Sequence, residues 1–188
     1  MKLIKVGLAS VLAAGALFAG TYKVDASHSN VGFKVKHLMI SNVRGNFEKF
    51  DGSFEYDEKS GVIKSLEGNV VVDSINTDNE KRDGHLKSAD FFDAANHPNL
   101  TFKVDKIEDE KAYGKLTMRG VTKDVVFDIE KTGEVVDPWG NKRVGLELEG
   151  KVNRKDYGLN WNKALEAGGV VVGEEVKINV ELEGVAQK

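Results

Sequence analysis

Along most of the chain, apolar and polar residues alternate one by one. Val31, Phe33 and Val35 alternate with Gly32, Lys34 and Lys36, and Leu116 and Met118 with Lys115, Thr117 and Arg119. Val125, Phe127 and Ile129 alternate with Val126, Asp128 and Glu130, and the same beat runs through Val144, Leu146 and Leu148. It returns in Val176, Ile178, Val180 and Leu182, set against Lys177, Asn179, Glu181 and Glu183. A period of two with one apolar and one charged face predicts antiparallel strands that are buried on one side and wet on the other. Turn signals separate the runs at residues 57–61, 108–111, Thr132-Gly133, 137–141 and Gly168-Gly169. Both prolines, Pro98 and Pro138, fall in predicted loops, outside the hydrogen-bonded ladders. Residues 78–89 are polar and helix-compatible and run into Phe91-Phe92, which predicts one or two short helices capping one end of the sheet. A second irregular stretch spans residues 153–169, and no repeat or linker divides the chain.

A half-wet sheet with so little helix to cover it must bury its apolar face against itself. Eight closed strands make a barrel whose interior is filled by side chains or holds one small ligand. The aromatic supply (Phe33, Phe47, Phe50, Phe54, Phe91, Phe92, Phe102 and Phe127) suits either outcome.

The first nineteen residues differ from the rest. Lys2 and Lys5 precede a charge-free apolar run over residues 6–18, too short to span a bilayer, and small residues follow at Ala16, Ala19 and Gly20. This is the pattern of a secretory signal peptide, residues 1–19, with cleavage expected after Ala19 and, as the alternative, after Ala16. Residues 20–188 then form a single domain, exported to a periplasm. The chain has 188 residues, a formal net charge of -3 and no cysteine. Interleaved Lys and Asp/Glu give no basic face, so nucleic acid is not an expected partner. The absence of cysteine excludes disulfides, thiol catalysis, zinc–thiolate sites and a lipoprotein anchor.

Candidate chemistry is sparse. His28, His37, His85 and His97 lack metal-ligand spacing, so no metal is expected. There is no G-x-S-x-G and no phosphate-binding loop. A catalytic reading would have to use His28, His37 or His85 with a nearby aspartate, and the expectation is that the protein is not an enzyme. Residues Arg82-Asp83-Gly84-His85-Leu86 lead onto Phe91-Phe92. Polar groups there either orient a ligand head group at the rim of an apolar cavity or cap helix ends.

The order and spacing of several motifs resemble the YceI-like family of polyisoprenoid-binding proteins. The resemblance begins at Tyr22-Lys23-Val24-Asp25 with His28-Ser29, and continues through Phe33-Lys34-Val35-Lys36-His37-Leu38 and Gly45-Asn46-Phe47. It is densest over residues 82–92. Further pieces are Pro98 with Phe102, residues 114–123, residues 153–158 and Gly173-Glu174-Glu175-Val176. Met39-Ile40 departs from it, since the family often has glycine after His-Leu, and an altered turn is expected there.

The resemblance implies a mainly β, lipocalin-like, eight-stranded antiparallel barrel with one or two short helices and an apolar internal tunnel. It implies binding, transport or storage of a long-chain amphiphile (a polyisoprenoid, an isoprenoid quinone or similar) as ligand, with no other cofactor. Carried over by residue, the tunnel candidates are Phe33, Val35, Phe47, Ile75, Leu86, Phe91, Phe92, Phe102, Leu116, Met118 and Phe127. The head-group candidates are His37, Arg82, His85 and Arg154. Transient contact with a membrane surface and a homodimer are further expectations.

Overall fold

The computed structural model describes residues 20–166 and 168–187; the signal peptide expected over residues 1–19 lies outside them. Eleven hydrogen-bonded segments follow in chain order: β1 (Gly20–Val24), β2 (Asn30–His37), β3 (Ser41–Phe47), β4 (Phe50–Asp57), β5 (Val62–Val71), β6 (Ile75–Asn76), β7 (Asn99–Glu108), β8 (Lys111–Met118), β9 (Val121–Val136), β10 (Lys142–Asn153) and β11 (Val172–Ala186). Among the described residues there is one α-helix, α1 (Glu80–Lys87), between β6 and β7.

Three pairs of segments are single strands bent in the middle. β1 and β2 both pair with β11, β3 and β4 pair with β2 and β1, and β6 and β5 pair with β3 and β4. The bends share local causes. Asp25 turns the chain between β1 and β2 by accepting from Ser27 N at 3.1 Å. Ser74 pins the other two, since its Oγ accepts from Lys49 N at 2.9 Å and donates to Val71 O at 2.7 Å. Counted this way, eight strands run up and down in sequence order, and β1 closes the ring against β11. The β1–β11 pairing removes the sheet edges at that end, and the gap that remains lies between β6 and β7.

Alternation places Val144, Leu146, Leu148 and Val152 of β10 inside, all buried. The predicted break at Thr132-Gly133 is not a turn. It lies within β9, where the register with β10 slips between Gly145 and Leu146 and Thr132 is the extra residue of a β-bulge.

The two ends differ. At one end lie the β4–β5, β7–β8 and β9–β10 turns and the described chain ends at Gly20 and Gln187. Tyr22, Phe54 and Tyr56 seal it, each 1% exposed. Tyr22 stacks on Phe54 at 5.4 Å and meets Tyr56 edge-on at 5.8 Å. Gly184 lets Phe54 approach, because a Cβ there would sit 2.3 Å from its ring. At the opposite end β6 pairs only with β3, so the wall between β6 and β7 is left to α1 and the segment after it.

Candidate functional site

Above the aromatic floor the barrel is hollow. The cavity holds about 190 Å³ of free space, far above the roughly 10–15 Å³ that one water needs. Its lining includes Phe33 and Val35 of β2, Phe47 of β3, Phe102 of β7, Leu116 and Met118 of β8, and Phe127 of β9. Leu86 of α1 and Phe91 and Phe92 beyond it close the remaining gap. Every predicted tunnel residue except Ile75 is thus in the lining; Ile75 is buried in the core on β6. β11 adds Val176, Ile178, Val180 and Leu182, which the alternation had placed on one face.

Glycine shapes the free space. Gly52 and Gly68 face each other across β4 and β5, and both border the cavity. A Cβ at Gly68 would meet nothing closer than Asp51 O at 3.6 Å, so a larger side chain there would project into the lumen. A Cβ at Gly52 would instead strike Glu67 O at 2.7 Å.

A wider recess of about 430 Å³ adjoins the tunnel as its mouth, and the two share Phe33, Val35, Leu86, Phe91 and Val172 in their walls. The charged and titratable side chains lining the mouth are Lys36, His37, Lys81, Arg82 and His85. Three of the four head-group candidates therefore meet here. Arg82 is also a staple, donating from Nε to Thr77 Oγ1 at 2.8 Å and from Nη2 to Thr77 O at 2.7 Å. Asp83 accepts from Thr77 N at 3.0 Å, so this part of the stretch braces the chain that leads into α1. Asn79 caps α1, accepting from Arg82 N at 2.9 Å. His85 bonds Asp90 Oδ2 through Nε2 at 2.9 Å, and its ring stands edge-on to Phe91 and Trp161, both at 5.0 Å.

Arg154 is not at the mouth. It is 3% exposed and forms part of the tunnel wall. Its Nε donates to Gly173 O at 2.8 Å, Nη2 to Val172 O at 3.2 Å and Nη1 to Leu159 O. Burial pulls its guanidinium below the ordinary value. These carbonyls lie in and beside the strap from residue 159 to 173, so Arg154 ties that strap to β10.

The histidine–aspartate pairs do not assemble a nucleophile. His28 meets both Asp25 (2.9 Å) and Ser27 Oγ (3.1 Å) through the same Nδ1. A relay needs the serine on one ring nitrogen and the aspartate on the other. Asp25, His28 and Glu183 also bring three potential ligand atoms within 4.8 Å. Arg143 Nη1 donates to both carboxylates of that group, to Asp25 at 3.0 Å, and so supplies its positive charge.

Trp161 was missed by the sequence reading. It sits in the irregular 153–169 stretch, where no periodicity marks an inward residue; it packs on Phe91 at 5.3 Å.

A family model described as the YceI-like domain matches residues 22–184. A UPF0312 protein of Staphylococcus aureus is 39% identical over 163 residues, covering 86% of this chain and 95% of the relative. The crystal structure of a Campylobacter jejuni YCEI protein superposes with a TM-score of 0.70 at 35% identity, over 87% of this chain and 96% of that one. A polyisoprenoid binding domain from Saccharophagus degradans shares the fold, with a TM-score of 0.65 at 15% identity, over 90% of this chain and 100% of that one.

Proposed function

The chain belongs to the YceI-like family, and from that premise we propose that it is a binding protein, not a catalyst, that holds a long-chain amphiphilic lipid in its barrel. The cargo class is a polyisoprenoid, an isoprenoid quinone or a similar amphiphile, carried or stored in a periplasm after export directed by residues 1–19. The observation that carries this reading is the tunnel itself: apolar side chains line it almost throughout, aromatic rings seal its floor, and basic side chains gather at its mouth. The Saccharophagus degradans domain, described as binding polyisoprenoids, shares the fold and supports the same class.

Magnitudes favour a long chain. Each buried methylene contributes roughly 0.8 kcal/mol, so ten supply about 8 kcal/mol, the free energy of a micromolar complex. Association costs at least about 4 kcal/mol of lost freedom, so useful affinity requires more than ten methylenes. The free space of about 190 Å³ is below the roughly 300–1,000 Å³ of ordinary ligand pockets. A full-length cargo must therefore push side chains aside. Leu86, Phe91 and Phe92 are the ones that yield, because no strand holds Phe91 or Phe92 and α1 buries no residue fully.

The test is the affinity of the mature protein for an isoprenoid quinone, read by quenching of Trp161 in a Trp139→Phe background. Saturable binding at one ligand per chain is expected. Phe91→Ala combined with Phe102→Ala should weaken it at least about tenfold. Unchanged affinity in a folded double variant would place the ligand elsewhere.

A further inference from the structure

The β2–β3 hairpin ends in three exposed apolar residues: Leu38 is 37% exposed, Met39 55% and Ile40 82%. Ile40 N donates to His37 O at 3.2 Å, closing a four-residue turn with Leu38 and Met39 at its centre. Their φ angles are +49° and +63°. Both central residues are thus left-handed, as in a type I′ turn, where Asn-Gly is the favoured pair and a bulky side chain is strained. Burial at these positions is too slight to offset that strain.

This tip belongs to the tunnel mouth. Leu38 N donates to Val171 O at 2.8 Å, and Met39 lies against Gly169. His37 and Val171 line the mouth beside Lys36, Lys81 and Arg82, and no carboxylate joins them in that lining. The tip stands at the end of the barrel opposite the Tyr22–Phe54–Tyr56 floor. An apolar tip next to a basic rim, around the opening of an apolar tunnel, matches an anionic bilayer: side chains enter the acyl boundary while lysine and arginine meet the head groups.

We propose that Leu38, Met39 and Ile40 dock the tunnel mouth onto an anionic lipid bilayer, so that cargo passes between membrane and barrel without crossing water. The partner is named on the reading of the tunnel as a lipid site; the docking surface itself is tested independently of it.

The experiment is co-sedimentation of the mature protein with vesicles of phosphatidylglycerol and phosphatidylethanolamine, and with phosphatidylcholine vesicles as the neutral comparison. Binding to the anionic vesicles is expected, weakening as salt rises. Ile40→Ser should lower the partition coefficient about tenfold, the worth of one large apolar side chain. Leu38→Asn with Met39→Gly should lower it further while raising the thermal midpoint, because that pair suits the turn, so loss of binding cannot be put down to misfolding. Isoprenoid quinone affinity in solution should stay at the wild-type level in both variants. Wild-type partitioning by the tip variants overturns the docking surface while leaving the carrier reading intact. Vesicle binding lost in those variants, by a protein that takes up no isoprenoid, upholds docking and removes the carrier. A tip variant that converts a dimer into monomers without changing vesicle binding also overturns the proposal, making the tip a contact between copies.

Discussion

Gly68 occupies the place where a side chain would most obstruct a ligand and least disturb the wall. Gly68→Leu is expected to leave the circular dichroism spectrum unchanged and to reduce isoprenoid quinone affinity at least about tenfold, since the new side chain has only the lumen to enter. Undiminished affinity would mean that the ligand does not reach this level of the barrel. Tyr157 poses the opposite problem. Its hydroxyl is buried with no partner among the described residues, and burial, aided by the Asp156 charge, pushes it up to about 12. Leaving a buried donor unpaired costs about 1–3 kcal/mol, so Tyr157→Phe should be neutral or stabilise by about 1 kcal/mol in urea unfolding; a loss of that size would reveal a partner. At this scale, period-two alternation was enough to find the inward Phe33, Phe127, Leu116 and Met118, while Phe102 came from the resemblance. Gly68 stayed invisible because a glycine adds nothing to a hydrophobic pattern. Arg154 continues the even-numbered inward row of Val144, Leu146, Leu148 and Val152, and that parity points to the wall, whereas its motif suggested the mouth.

One ionic stitch joins elements that are distant along the chain. Arg143 of β10 reaches Asp137 in the β9–β10 turn at 2.8 Å, Asp25 between β1 and β2 at 3.0 Å, and Glu183 of β11. Hydrogen bonds from Ser27, His28 and Arg143 hold the Asp25 carboxyl well below the usual range. Burial works against ionisation at Asp137, but bonds from Arg143, Asn141 and Trp139 outweigh it and hold that carboxyl low as well. A carboxyl depressed in the folded state stabilises the fold above its unfolded value, about 3.9, and that stabilisation fades as pH falls from there through the lower folded value. The thermal midpoint should therefore drop steeply below about pH 4. Arg143→Met should lower the midpoint at neutral pH and flatten the acid slope; an unaltered slope would remove the stitch from the acid response. This was not legible in the sequence, because Asp25 and Glu183 lie 118 and 40 residues from Arg143 along the chain, and only Asp137 is near it. The strand bends were hidden for a related reason: alternation continues on both sides of each bend. Thr132-Gly133 misled because glycine marks bulges as readily as turns.

For the molecule as a whole, the alternation of apolar and charged positions with little helix was sufficient to indicate sheet packed on itself, as a sandwich or a barrel. Strand number and an apolar tunnel came from the resemblance, since no local pattern encodes which strands meet to close a ring. The closed barrel has one end sealed by aromatic rings and one end finished by α1, the strap held by Arg154 and the β2–β3 tip. On the proposed function, that asymmetry predicts entry and exit through the basic mouth, with chain length limited by the depth to Tyr22 and Phe54. The central claim is that this space belongs to a lipid chain. Native mass spectrometry of the protein purified from its own host, followed by organic extraction, tests it most directly. The expected spectrum shows an adduct at near-equal stoichiometry that extracts as a polyisoprenoid or isoprenoid quinone. A bare protein mass, with no uptake of added isoprenoid, would contradict the claim and leave the barrel a self-filled module.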